Sequence, residues 1–174
     1  PQSLQTTIPT TNKFNAELPL PANLDFGLAF KPTEDWLIGL DFNYVFWDVY
    51  ESLDFTFEES GEILNSSNPR KYSNNFITRV GAQWNVIDIL DLRAGFYYDP
   101  TPTHEDYFTP ETVSLNTVAW TAGFSIRPIE MLSIDFSFAQ LFGLQSQKSY
   151  TPDNFKGTYK VVTNIPGLGV SFNF

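Results

Sequence analysis

Period-two alternation in seven segments, a charge-free face on each, and connections that alternate short with long predict an all-β chain: an antiparallel, up-and-down transmembrane β-barrel of about seven strands. Composition agrees with that class. Of 174 residues 17% are aromatic, with 17 Phe, 8 Tyr and 4 Trp, yet the mean hydropathy is only -0.19. A membrane helix needs a run of roughly 18 or more apolar residues, and the sequence has none. A strand in lipid needs apolar residues only at alternate positions, so a barrel crosses a bilayer without being hydrophobic on average.

The strands are expected near residues 14–30, 36–57, 72–85, 89–99, 114–127, 131–142 and 157–174. In the first, Leu24, Phe26, Leu28 and Phe30 alternate with Asp25, Gly27 and Ala29. The second sets Trp36, Ile38, Leu40, Phe42, Tyr44 and Phe46 against Gly39, Asp41 and Asn43. In the third, Phe76, Thr78, Val80, Ala82 and Trp84 oppose Arg79, Gly81 and Gln83; in the fourth, Leu90, Leu92, Ala94, Phe96 and Tyr98 oppose Asp91, Arg93 and Gly95. The fifth carries Val118, Trp120, Ala122, Phe124 and Ile126 opposite Ala119 and Gly123. The last two carry Leu132, Ile134, Phe136 and Phe138 opposite Ser133, Asp135 and Ser137, then Pro166, Leu168, Val170, Phe172 and Phe174 opposite Gly169 and Ser171. All charges in these runs are odd-numbered. An Arg or Lys facing lipid at mid-bilayer costs roughly 2–4 kcal/mol, so a membrane strand has to segregate charge in this way. A soluble sandwich segregates too, but its polar face normally meets bulk water with Lys, Glu and Thr. Here the odd face is mostly Gly, Ala, Ser and Asn, which suits a confined lumen and turns the even face to hydrocarbon.

The connections 31–35, 85–88 and 127–130 are short, whereas 58–71, 100–113 and 143–156 are long. Barrels of this kind have short periplasmic turns and long outside loops, so the first strand runs inward and residues 1–11 fall in an outside loop. Trp36 and Trp84 flank short turns as girdle anchors, Trp47 lies toward the outer edge, and Trp120 falls mid-strand. Closed bacterial barrels have an even number of strands, and an open sheet edge in lipid costs several kcal/mol per unpaired group. Residues 1–174 are therefore expected to be the C-terminal part of a single barrel, completed by its remaining N-terminal part as a separate chain or an identical fragment. An exported protein needs a signal peptide, and none precedes Pro1, which predicts a processed, truncated or cleaved chain.

Several segments also carry a resemblance. LPLPANLDFGLAFKP from Leu18, YVFWDVY from Tyr44, LRAGFYYDPTPT from Leu92, GTYK from Gly157 and GLGVSFNF from Gly167 resemble, in order and spacing, the FadL/TodX family of long-chain fatty-acid transporters. The likeness covers nearly the whole chain from residue 14 onward. It implies a fourteen-stranded barrel of the bacterial outer membrane, with an N-terminal hatch in the lumen and a sideways exit through an early strand, both outside the part present here. It further implies passive uptake of hydrophobic compounds such as long-chain fatty acids, with lipid or detergent around the barrel and a hydrophobic small molecule within. The alternative is a FadL-like subunit of a protein-secretion complex, holding cargo or partner proteins through its outside loops. Val170, Phe172 and Phe174 resemble the terminal assembly signal read by the barrel-assembly machinery. Relatives commonly place a basic residue after the aromatic that opens the third strand, where it meets a carboxylate. Here Tyr72 is followed by Ser73, Asn74 and Asn75, which leaves a neutral substrate as open as an acidic one.

The lumen residues expected to contact ligand or hatch are Asn43, Trp47, Arg79, Arg93 and Tyr97, a mixture of apolar and polar groups of the kind that lines ligand sites. Packing of the lumen is the plainer reading of each taken singly. Asp91 and Asp135 share their face with Arg93 and Arg79 and are expected to pair with them. No enzyme constellation is present: His104 is the single histidine and there is no cysteine, so no catalytic residue, metal or cofactor is expected. A net charge of -10 argues against nucleic acid, whose phosphates need clustered Lys and Arg. Glu58, Glu59 and Glu62, and again Glu105, Asp106 and Glu111, read as solvated loop charge, with divalent-ion bridging to anionic headgroups as the other reading. Pro100 and Pro102 stiffen the entry into their loop, with a hinge for substrate entry as the other reading.

Overall fold

The computed structural model describes residues 13–59 and 64–172. The expectations for residues 1–11, Glu62 and Phe174 lie outside the described residues. Two antiparallel sheets form. The larger has seven strands: β2 (Asn23–Thr33), β3 (Trp36–Val45), β6 (Asn75–Ile87), β7 (Leu90–Asp99), β8 (Thr117–Ile129), β9 (Leu132–Tyr150) and β10 (Phe155–Phe172). Its order, β10-β9-β8-β7-β6-β3-β2, is an uninterrupted meander. The smaller sheet, of order β1-β4-β5, joins β1 (Phe14–Ala16), β4 (Ser52–Phe57) and β5 (Ser66–Pro69).

The register keeps parity from strand to strand. Leu28 opposes Leu40, Leu40 opposes Val80, Val80 opposes Phe96 and Phe96 opposes Trp120, while Asp41 opposes Arg79 and Gln83 opposes Arg93 on the other face. The irregularities Phe30/Thr33, Asn85/Ile87 and Ile126/Ile129 fall beside short turns, where a bulge tightens the local twist without flipping the faces above it, whereas a fourth, Tyr159/Val161, lies toward the loop end of β10 and shifts the pairing with β9 by one residue beyond it. Aromatic neighbours tile the even face: Trp36 stacks on Trp84 at 5.4 Å, Phe42 lies between Phe26 at 6.5 Å and Phe76 at 5.6 Å, and Phe124 stacks on Phe136 at 5.5 Å. Such cross-strand pairs add about 0.5–1.5 kcal/mol each beyond their buried area. They do not form a dry interior, because Phe96 and Phe136 remain 49% and 38% exposed. The buried apolar side chains gather instead near the long-loop end, among them Val45, Ile77, Leu115 and Ala119.

Four expectations are corrected. Residues 14–30 are not one strand, because Pro19 and Pro21 supply no backbone N–H, and the chain breaks between β1 and β2. Residues 36–57 are not one strand either: β3 stops at Val45, the 3-10 turn Trp47–Val49 redirects the chain, and β4 joins the small sheet. That turn is pinned by Asn74, whose Oδ1 accepts from the Asp48 N–H at 2.9 Å and whose Nδ2 donates to Asp48 Oδ2 at 3.0 Å. Residues 143–156 are not a long loop. β9 and β10 continue as a hairpin closed by the 3-10 turn Thr151–Asp153, with Asn154 in the left-handed region at φ 51. Finally, Trp120 is not mid-strand: it is the fourth residue from the loop end of β8, and its Nε1 donates to Gln140 Oε1 at 3.0 Å.

Candidate functional site

The odd face of the seven-stranded sheet carries a connected set of polar side chains, placed by the register alone. Because Gln83 opposes Arg93, and Ser125 lies between Asp91 and Asp135, one guanidinium can bridge four strands. Arg93 Nε donates to Gln83 Oε1 at 2.8 Å and its Nη1 to Ser125 Oγ at 2.5 Å; Asp91 and Asp135 lie 3.6 and 3.8 Å from its guanidinium. Ser125 in turn donates to Asp135. Asp91, only 2% exposed, takes both terminal nitrogens of Arg127, at 2.6 and 2.9 Å. Charge-assisted, two-pronged bonds of this kind are about twice as strong as neutral ones. Arg79 pairs with Asp41 at 2.5 Å, so the expectation that it would serve Asp91 or Asp135 is corrected: the direct cross-strand neighbour wins.

A cavity of about 710 Å³ lies against the middle of this face, lined by Arg79, Arg93 and Tyr97 together with Gly39, Gly81 and Gly95. Two glycines of its lining have no room for a side chain. A Cβ on Gly95 would stand 2.8 Å from Thr121 Oγ1, and one on Gly123 only 2.7 Å from the Phe136 carbonyl oxygen. Gly39, by contrast, has open space where a side chain would go.

A second cavity, also about 710 Å³, sits at the loop end of the same face. Val45, Ile77, Asp99 and Thr117 reach it from β3, β6, β7 and β8, while Trp47, Tyr50 and Tyr72 form an aromatic wall. Tyr72 meets Trp47 at 5.6 Å and Tyr50 at 4.9 Å, both edge to face. Leu18, Pro19, Leu20 and Pro21, the segment between β1 and β2, and Val113, Ser114 and Leu115 complete it.

The loops at this end fold onto one another. Ser73 donates its backbone N–H to the Pro102 carbonyl at 2.8 Å, Arg70 donates to Thr109 and lies 3.4 Å from Glu111, and the Lys71 ammonium sits 4.7 Å from the Tyr107 ring centre. Phe108, fully buried, packs on Tyr159 of β10 at 4.5 Å. Desolvation raises the pKa of the neighbouring Tyr150 phenol. His104 caps its own turn by accepting the Asp106 N–H, and among the described residues no group of three or more His, Asp or Glu is placed to hold a metal ion.

Of the five lumen residues named from the sequence, Arg79, Arg93 and Tyr97 come together at the middle cavity and Trp47 at the loop-end cavity. Asn43 joins neither: its Nδ2 is taken by Asp25 Oδ1 at 2.5 Å. Trp47 lines the loop-end cavity beside Tyr72, which corrects its reading as a girdle anchor. Val170, 67% exposed, and Phe172 point outward at the turn end of β10. Sequence reasoning passed over Asn75, Asp99, Tyr50 and Tyr72 as cavity residues. Asp99 and Asn75 carry odd numbers at strand ends, which was the available signal; Tyr50 and Tyr72 lie in the redirected loops, where alternation gives none.

The description "Outer membrane protein transport protein (OMPP1/FadL/TodX)" belongs to the family whose profile matches residues 3–174. A "47 kDa outer membrane protein" of Pasteurella multocida is 24% identical over 159 residues, covering 90% of this chain and 36% of its own length. Among solved structures, a Pseudomonas aeruginosa FadL homologue superposes with a TM-score of 0.73 at 20% identity, covering 91% of this chain and 37% of the other. A TodX monoaromatic hydrocarbon channel, a deltaS2 mutant, gives 0.70 at 22% identity, covering 92% and 38%. These structural likenesses show the fold, and the chain spans little more than a third of each relative.

Proposed function

Because this chain belongs to the outer membrane protein transport family that includes FadL and TodX, and is an outer-membrane protein, we propose that it forms the C-terminal half of the wall of a passive channel for hydrophobic compounds. The remaining strands come from the N-terminal part of the same barrel, which pairs with β2 and β10, the outermost strands of the sheet, and carries the hatch. The observation that carries this reading is the loop-end cavity: an aromatic and aliphatic chamber on the lumen side of a sheet whose other side is apolar. An apolar solute leaving water gains about 25 cal/mol per Å² of surface buried there, which suffices to concentrate it at the mouth without any chemistry. Long-chain fatty acids are the substrate suggested by the family resemblance, and monoaromatic hydrocarbons are what the TodX channel's description names. Arg79, Arg93 and Tyr97 line the next stage inward, Val170 and Phe172 serve insertion by the barrel-assembly machinery, and no reacting group is needed along the route.

The experiment is native mass spectrometry of the full-length protein extracted in a volatile detergent, followed by identification of what co-purifies. An apolar small molecule released from the lumen supports the channel. A protein cargo held on the outer loops, with an empty lumen, would instead support a secretion subunit.

A further inference from the structure

The charged lining of the loop-end cavity is of one sign. Among the described residues that line it, Asp99 is the single carboxylate and there is no Lys or Arg. Asn75 holds Asp99 in place: its amide nitrogen donates to Asp99 Oδ1 at 3.3 Å and to the Pro100 carbonyl at 2.7 Å. Both neighbours can only accept, so the orientation of the amide is determined and its oxygen faces away from them. That oxygen is buried without a donor. No protein donor among the described residues reaches the second oxygen of Asp99.

The arginines on the odd face of the described strands are committed elsewhere, Arg79 to Asp41, Arg93 to Ser125 and Gln83, and Arg127 to Asp91. An ionised carboxylate entering the cavity would shed water, meet the Asp99 charge and find no Lys or Arg among the described lining residues, a costly combination. A hydroxyl would donate a hydrogen bond to Asp99 and leave its apolar body against Trp47, Tyr50 and Tyr72.

We infer that the loop-end cavity selects apolar molecules bearing a neutral, hydrogen-bond-donating head group, alcohols in the simplest case, over the corresponding carboxylates. The inference rests on the hydrophobic-uptake reading and narrows its substrate class. A site built to bond a hydroxyl rejects an analogue that cannot answer it, because its own acceptor is then left unpaired.

The test is calorimetric binding of three probes of equal chain length, tetradecanol, methyl tetradecanoate and tetradecanoate, to the full-length protein in lipid nanodiscs at pH 8. Tetradecanol is expected to bind at least tenfold tighter than tetradecanoate and several-fold tighter than the ester, which has no donor. In Asp99→Leu, whose sheet content is checked by circular dichroism, the alcohol's advantage over the ester should vanish. Equal affinity for alcohol and ester, or tighter binding of tetradecanoate, in the unmodified protein would overturn the inference while leaving hydrophobic uptake intact. Failure of all three probes to bind would overturn both.

Discussion

Gly39 and Leu40 are adjacent in β3 and project to opposite faces of the sheet, so an arginine placed at each in turn separates the two faces. Leu40 is 40% exposed on the aromatic face, between Leu28 and Val80. Gly39 lines the middle cavity, and a Cβ there meets nothing within 4 Å. If the even face is in hydrocarbon, Leu40→Arg carries the mid-bilayer penalty of roughly 2–4 kcal/mol. That is a fall of about 30- to 700-fold in the folding equilibrium. Gly39→Arg extends into a wet lumen beside Asp41 and should cost about 1 kcal/mol at most. The assay is reversible urea unfolding of the full-length protein in phospholipid vesicles, followed by tryptophan fluorescence. A Gly39→Arg cost equal to or larger than that of Leu40→Arg would refute the assignment of faces.

Other outcomes follow from particular contacts. Asp91→Ala removes the acceptor of both Arg127 bonds, but Arg127 can rehydrate, so a loss of about 1.5–3 kcal/mol is expected, and a double-mutant cycle with Arg127→Ala should return most of it as coupling. Phe108→Ala empties a fully buried site against Tyr159, and about 3 kcal/mol of local stability should go with it, seen as faster amide exchange in residues 101–116 with the strands unchanged. Hydrogen bonds from Ser67 and Ser52 lower the pKa of Asp54, an exposed residue of β4. A depressed carboxylate stabilises the fold above its unfolded pKa and loses that contribution as pH falls through its folded value, so amide exchange in the β4–β5 hairpin should quicken below the ordinary carboxylate range, and Asp54→Asn should remove that dependence.

What the sequence revealed, and what it hid, follows from where each residue meets a solvent boundary. Phe26, Leu40, Phe96 and Phe136 face one medium while Asp25, Asp41, Arg93 and Asp135 face another, and two media on opposite sides of one sheet write a period of two into the chain. The seven strands and their faces were therefore legible. The upper reach of the β9–β10 hairpin was not, because Gln145, Gln147 and Lys148 occupy both parities and no bilayer requires them to sort. The break before β2 was written in Pro19 and Pro21, a local signal outweighed by the strong alternation on either side. The cavity at the loop end depended on loops meeting across the sheet, as Ser73 does with Pro102, and contacts between distant segments leave no periodic mark.

The face assignment is tested most directly by a spin-label scan. The chain has no cysteine, so single cysteines at positions 92 to 97 of β7, in an otherwise cysteine-free full-length protein, can each carry one nitroxide in vesicles. Collision rates with dissolved oxygen should peak at Leu92, Ala94 and Phe96, and those with a water-soluble nickel chelate at Arg93, Gly95 and Tyr97, giving two period-two waves in antiphase. Waves in phase, or oxygen maxima at the odd positions, would contradict the account.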